Sequence, residues 1–183
     1  YWYDVNDNKK TWTNKQIVQR SCGKFRREWE TSSMKEKSYT PENYPILRYG
    51  DVLLMLAEAE NEAHQGPTDL AYECINEIRQ RAGISKLEGL SYTDFQQAVR
   101  DERARELCFE SLRKYDLVRW GIYVEAVHDK LGAATQDKRW ATGNQFIGAR
   151  DYAARTQEKH QFLPIPTKEL DAVSYTHLRA HET

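Results

Sequence analysis

The sequence predicts a mainly α-helical fold, built of paired helices with long irregular loops and minor β. Three observations carry that prediction. Between residues 46 and 131 apolar side chains recur every three or four positions, the spacing of helices that turn a face to a core. Gly and Pro stand at the joints between these runs, at Gly66, Pro67, Gly83 and Gly121. Outside the runs the chain is polar and irregular, though IVQ at 17–19 fits a short strand or turn and GKFRREWE at 23–30 alternates enough for a strand with one wet face.

Residues 1–45 read as an irregular, loop-rich segment, with TPENYP at 40–45 excluded from regular helix by its two prolines. Residues 46–131 read as a helical core. Its first helix runs from about Arg48 to His64, with Val52, Leu53, Leu56, Ala59 and Ala63 at helical spacing. Leu54, Met55 and Ala57 widen the apolar stripe, so this helix is expected to meet other helices on more than one side. QGP at 65–67 ends it, and Thr68 is a good N-cap for a second helix over about 69–82. That helix turns Leu70, Cys74, Ile75 and Ile78 inward and ends at Gly83, a natural C′ residue. Thr93 or Ser91 caps a third helix over about 94–111, with Phe95, Ala98, Val99 and Leu107 on its apolar side. Leu117, Val118, Ile122, Val124 and Val127 continue helically to about Leu131. Helical hairpins with tight turns suggest a tetratricopeptide-like arrangement. Residues 132–172 are a loop-rich C-terminal segment, extended at FLPIP (162–166) by its prolines. Residues 173–183, VSYTHLRAHET, resemble one reading frame of a sequencing-library transposase adapter and read as a non-native tail. That tail is set aside, and with it the four-residue spacing of His177 and His181.

Composition narrows the function. Lys and Arg number 27 against 28 Asp and Glu, a net charge of -1 that offers no field for a phosphate backbone, so nucleic acid is not an expected partner. The longest apolar run, VLLMLA at 52–57, is far short of the ~20 residues a membrane-spanning helix needs. Cys22, Cys74 and Cys108 are odd in number and lack CxxC spacing, which disfavours both a disulfide framework and a zinc site. Glu125 and His128 have ExxH spacing, but a di-iron bundle needs a second copy and two further Glu residues. No P-loop, GxGxxG, GxSxG or HExxH occurs. Neither a metal nor a cofactor is expected.

The densest charge cluster is on the third helix. Glu106 lies three residues from Arg103, and Glu110 three from Arg113, within helical reach. Cations so placed keep a carboxylate's pKa low, whereas a general acid needs it raised. Arg103, Glu106, Glu110 and Arg113 therefore read as structural ion pairing rather than catalysis. Trp120 sits among Leu117, Val118 and Ile122 and reads as a core anchor. Trp140, Trp2 and Trp12 lie in polar, loop-like sequence, where a large aromatic suits a ligand-binding platform or caps the edge of a core.

Several segments in order carry a resemblance: GKFRR at 23–27, ILRYGDVLLMLAEAENE at 46–62, INEIRQRAG at 75–83, DERARELCFE at 101–110, RKYDLVRWG at 113–121 and PIP at 164–166. Together they resemble the SusD/RagB family of outer-membrane nutrient-binding lipoproteins. Ser111 and Leu112 depart from the family's usual Gly and polar residue, and Gly50 from its usual Ala. The resemblance implies a non-catalytic protein that captures glycan, or another nutrient such as peptide, and delivers it to a SusC-like TonB-dependent transporter. It implies a surface-exposed position at the outer membrane, through a lipid anchor on a part of the protein outside this chain. Family members are several hundred residues long and bind ligand on aromatic loop platforms. This chain, which starts at Tyr1 rather than Met, is thus expected to be a C-terminal fragment. The different-class alternative is a helical-repeat scaffold for a protein partner with no saccharide ligand.

Overall fold

The computed structural model describes residues 2–3, 9–11, 23–25, 30, 43–133 and 147–170. The described chain is mainly α-helical and divides into two compact units, Arg20–Asp116 and the combination of Tyr1–Gln19 with Leu117–Thr183.

In the first unit, α1 (Tyr49–His64) packs on both α2 (Asp69–Arg81) and α3 (Tyr92–Glu106). Local chemistry sets the joints. Gln65 adopts the left-handed conformation at φ 53, and its N–H returns to the Asn61 carbonyl to close α1. Thr68 Oγ1 accepts from the Ala71 N–H at 3.1 Å and starts α2, as its position in the sequence suggests. Ala82 ends α2, and Gly83 follows at φ 73, a conformation glycine adopts without Cβ strain. Ser91, rather than Thr93, caps α3 by accepting from the Asp94 N–H at 3.2 Å.

The core of this unit joins Leu53, Leu54 and Ala57 of α1 to Ala71, Cys74, Ile75 and Ile78 of α2 and to Phe95 and Val99 of α3. Each fully buried Leu, Ile or Phe contributes about 1.5–3 kcal/mol relative to exposure. Tyr72 meets Phe95 edge-on at 5.0 Å, while its hydroxyl accepts from the Leu90 N–H at 2.7 Å. Asn76 donates to the Leu87 carbonyl at 3.0 Å and accepts from the Leu87 N–H at 2.7 Å, so the connection between α2 and α3 is fastened to α2. Five of the eight apolar residues expected in the α1 stripe are not in this core, Ala59 and Ala63 among them. Val52, Met55 and Leu56 are exposed, and so is Leu70 at the start of α2. The buried arc of α1 lies on the side that α2 and α3 cover.

The expected long third helix is also shorter. α3 ends at Glu106, a turn follows, and α4 (Arg113–Arg119) begins beyond it. Phe109 at φ 65 and Ser111 at φ 60 make the break, and it leaves Glu110 buried outside the helix. The strand expected at 23–30 is absent over its described part, since residues 23–25 form a bend with Phe25 at φ 54.

In the second unit, Trp2–Tyr3 pairs antiparallel with Lys9–Lys10, Trp2 opposite Lys10. Leu117, Tyr123, Val127 and Ala153 form its buried cluster, against which the partly buried Trp120 packs. Gly121 at φ 70 interrupts the helical run expected to continue to Leu131, and a short helix, Tyr123–Glu125, passes into a π-helical stretch, Ala126–Leu131. His128 Nε2 donates to the Thr156 carbonyl at 2.8 Å, and the Tyr123 and Tyr152 hydroxyls are hydrogen-bonded.

Ser111 carries a left-handed backbone that penalises a Cβ. Ser111→Gly is expected to stabilise the fold by about 0.5–1 kcal/mol in urea unfolding. The same change at the exposed Ser85, whose φ is not positive, should destabilise or do nothing.

Candidate functional site

Polar side chains in the first unit converge along one face of α3 and the turn after it. At the centre is Arg103, 5% exposed, which donates from Nη1 to Asp51 Oδ1 at 2.8 Å and from Nε to Asp116 Oδ2 at 2.9 Å. Asp51 is in the first turn of α1 and Asp116 in α4, so one guanidinium ties three helices. Toward α2, Arg79 donates to Glu102 Oε2 at 2.8 Å and to the Ser85 carbonyl at 2.7 Å. Toward the start of α1, Arg48 spans two carboxylates. It donates to Glu110 Oε2 at 2.7 Å and to the Glu106 carbonyl at 2.5 Å, and it also pairs with the Glu106 carboxylate. Arg81 reaches Glu106 Oε1 at 2.5 Å, and Lys24 pairs with Glu110 while donating to the Glu106 carbonyl at 2.7 Å.

Gly50 leaves room for this arrangement. A Cβ there would stand 2.8 Å from Arg48 Nη1 and 3.1 Å from Glu106 Oε1. The absence of a side chain lets the Arg48–Glu106 pair lie against the α1 backbone.

This geometry argues against acid–base catalysis by Glu106 or Glu110. Burial pushes Glu106 up, but hydrogen bonds from Arg81 and Arg48 outweigh it and hold its carboxyl below the usual range. Glu110 is likewise raised by burial and lowered further by Arg48 and Lys24. Both carboxyls are ionised at neutral pH and occupied by cations, so neither can protonate a leaving group.

Of the residues singled out in the sequence, Arg103 and Glu106 lie on α3, Glu110 in the following turn and Arg113 at the start of α4, where its Nη1 donates to the Arg100 carbonyl at 3.3 Å. The partners of Glu106 and Glu110 come from distant segments, Arg48 lying 58 positions before Glu106 and Lys24 86 positions before Glu110. Helical spacing could not reveal them. One signal was present for Asp51, an acidic residue just ahead of Val52, Leu53 and Leu54, where a charge within an apolar run demands a partner. Of the three tryptophans, Trp2 has its backbone in the two-residue ladder, while its side chain, Trp12 and Trp140 lie outside the described residues.

Two clefts open beside the network. One, of ≈ 760 Å³ between α2 and the connection to α3, is lined by Glu73, Glu77, Gln80, Lys86 and Glu88. Tyr72 is its aromatic, with its ring in edge contact with Phe95 and its hydroxyl accepting from the Leu90 N–H. The other, of ≈ 580 Å³, is more apolar and lies at the α3–α4 turn beside Leu107, Cys108, Phe109 and Lys114.

The sequence and the helical fold have counterparts among known proteins. The sequence profile of the SusD family matches residues 1–176. This chain belongs to the SusD family. It is 40% identical over 133 residues to SusD-like protein P25 of Formosa agariphila, an alignment covering 70% of this chain and 22% of that protein. SusD-like protein P2 of the same organism is 36% identical over 139 residues, covering 70% of this chain and 23% of its own length. Among solved structures, a SusD homolog from Bacteroides thetaiotaomicron superposes with a TM-score of 0.65 at 37% identity, over 79% of this chain and 28% of its own. A SusD superfamily protein from Bacteroides vulgatus gives 0.53 at 31% identity, over 74% and 26%. The chain thus spans about a quarter of the length of the relatives it matches. The SusD family is one of non-catalytic binding proteins, consistent with carboxylates kept ionised by arginine.

Removing one partner of a buried ion pair strands the other charge at a cost of about 3–5 kcal/mol. Arg103→Met is therefore expected to lose that much stability in urea unfolding, and Arg103→Lys to lose most of it, because an ammonium cannot fork between Asp51 and Asp116. Replacing all three residues together with apolar ones should recover much of the loss. The depressed Glu106 and Glu110 carboxyls predict a pH dependence with a definite sign. Their contribution is complete above the ordinary value of 4.5 and is lost as pH falls through their lower folded values. Glu106→Gln should cost about 2–3 kcal/mol at neutral pH, and the gap to the unmodified protein should narrow steadily below pH ~4.5.

Proposed function

We propose that the full-length protein captures glycan at the cell surface and passes it to a SusC-like TonB-dependent transporter, without changing the ligand covalently. Membership of the SusD family, matched over residues 1–176, is the observation that carries this reading. The ionised state of Glu106 and Glu110 supports it, since a glycan-cleaving site needs a carboxyl that stays protonated. In this reading the protein is a surface lipoprotein, anchored to the outer membrane through a lipid on a part of the polypeptide outside this chain. Among the described residues no helix is long and apolar enough to cross a membrane.

Within that function the Arg-bridged helices act as scaffold. Sugar rings would stack on aromatic side chains carried by less regular segments, with Trp140, Trp2 and Trp12 as the platforms in this chain. Binding would combine stacking with hydrogen bonds from a few polar groups.

The test is binding of the full-length protein to a panel of polysaccharides, by affinity electrophoresis and calorimetry. Saturable binding of one glycan is expected, weakened about 5–30-fold when Trp140, Trp2 or Trp12 becomes Ala, the effect of losing 1–2 kcal/mol of stacking. Binding untouched by all three changes would make this chain scaffold alone. Failure to bind any glycan, with peptide bound instead, would replace the cargo class.

A further inference from the structure

The break between α3 and α4 shapes the cleft of ≈ 580 Å³, whose floor and rim differ in kind. Leu107 and Arg103, both buried, form the floor. Phe109, 64% exposed, stands at the rim with Arg113 and Lys114. The charge of Arg103 is matched by Asp51 and Asp116, and Asp116 is the only carboxylate among the described residues that line the cleft. The rim therefore carries two cations and an aromatic ring. Glu110, the acid that helical spacing sets beside Arg113, pairs with Arg48 and Lys24 instead, while Arg113 Nη1 donates to the Arg100 carbonyl at 3.3 Å.

These features suit a ligand of definite chemistry. The volume falls within the range of about 300–1,000 Å³ in which small ligands are held. Phe109 is kept at φ 65, a region that a bulky side chain rarely enters, and backbone held there at a cost is often part of a ligand clamp. An exposed aromatic face takes the apolar side of a sugar ring. Beside it, the planar fork of an arginine matches a carboxylate, and a lysine adds a mobile point charge.

We propose that this cleft binds an acidic sugar unit, its ring against Phe109 and its carboxylate met by Arg113 and Lys114. On the reading that the full-length protein captures glycan, on which this site depends, the cargo class is then uronate-bearing polysaccharide. Stacking on Phe109 serves neutral and acidic sugars alike, so the two cations supply the discrimination.

Calorimetry on the full-length protein tests this with polygalacturonate, alginate and glucuronoxylan, each paired with the same polymer after its carboxyl groups are reduced to alcohols, and with neutral glycans alongside. The expected result is saturable binding of one acidic polymer, about 10-fold or more tighter than its reduced form. Lys114→Gln is expected to close most of that gap, and Phe109→Asn to weaken binding of the acidic polymer about 5–30-fold. Both variants should fold, because Lys114 is half-buried and asparagine accepts the left-handed backbone at position 109. Equal affinity for each polymer and its reduced form overturns the proposal and leaves glycan capture standing. A preference for the acidic form that survives both substitutions also overturns it, since the carboxylate is then read elsewhere. Failure to bind any glycan, acidic or neutral, overturns glycan capture and this site together.

Discussion

Arg103, buried between Asp51 and Asp116, is the interaction on which the first unit depends. Each of these groups alone would be costly to remove from water, and the three together satisfy one another through a planar fork. The carboxylates belong to α1 and α4 and the guanidinium to α3, so the pairing specifies one register among helices that apolar contact alone would let slide. The neighbouring pairs extend the same device. Arg79 with Glu102 ties α2 to α3, and Arg48 with Glu106 and Glu110 ties the start of α1 to the end of α3. Arginine suits these positions because it stays charged when buried and can bridge two acceptors.

The network also accounts for features that look odd in isolation. Gly50 sits in a helix, where glycine is disfavoured, because Arg48 and Glu106 occupy the space its side chain would take. The left-handed backbone at Phe109 and Ser111 ends α3 early, and Glu110 is buried just beyond it against Lys24 and Arg48. A densely paired set of helices is a fitting scaffold for a binding protein. It is a poor setting for hydrolysis, because the same arginines that hold the helices keep the carboxyls ionised.

Membership of the SusD family and the incomplete span of this chain bear directly on its surface. The side of α1 facing α2 and α3 is a finished core, with Leu54, Ile75 and Phe95 wholly enclosed. The opposite side is equally apolar and open.

Much of this was legible in the chain itself. The helices at 49–64 and 69–81, the existence though not the early end of the third helix, the Thr68 cap, the Gly83 terminator and the family motifs follow from local periodicity and capping, which act over three or four residues. The breadth of the α1 stripe already said that more than one partner was needed. By itself, then, the sequence determined a helical hairpin core, a family and an expectation of ion pairing on the third helix. Only the tertiary structure decided which side of α1 is buried within this chain, since both sides are apolar and periodicity cannot rank them. It alone decided that Arg103 serves Asp51 and Asp116 while Glu106 and Glu110 take Arg48, Arg81 and Lys24. Those partners lie tens of residues apart, and charges that distant meet only when packing of the apolar core has brought their helices together.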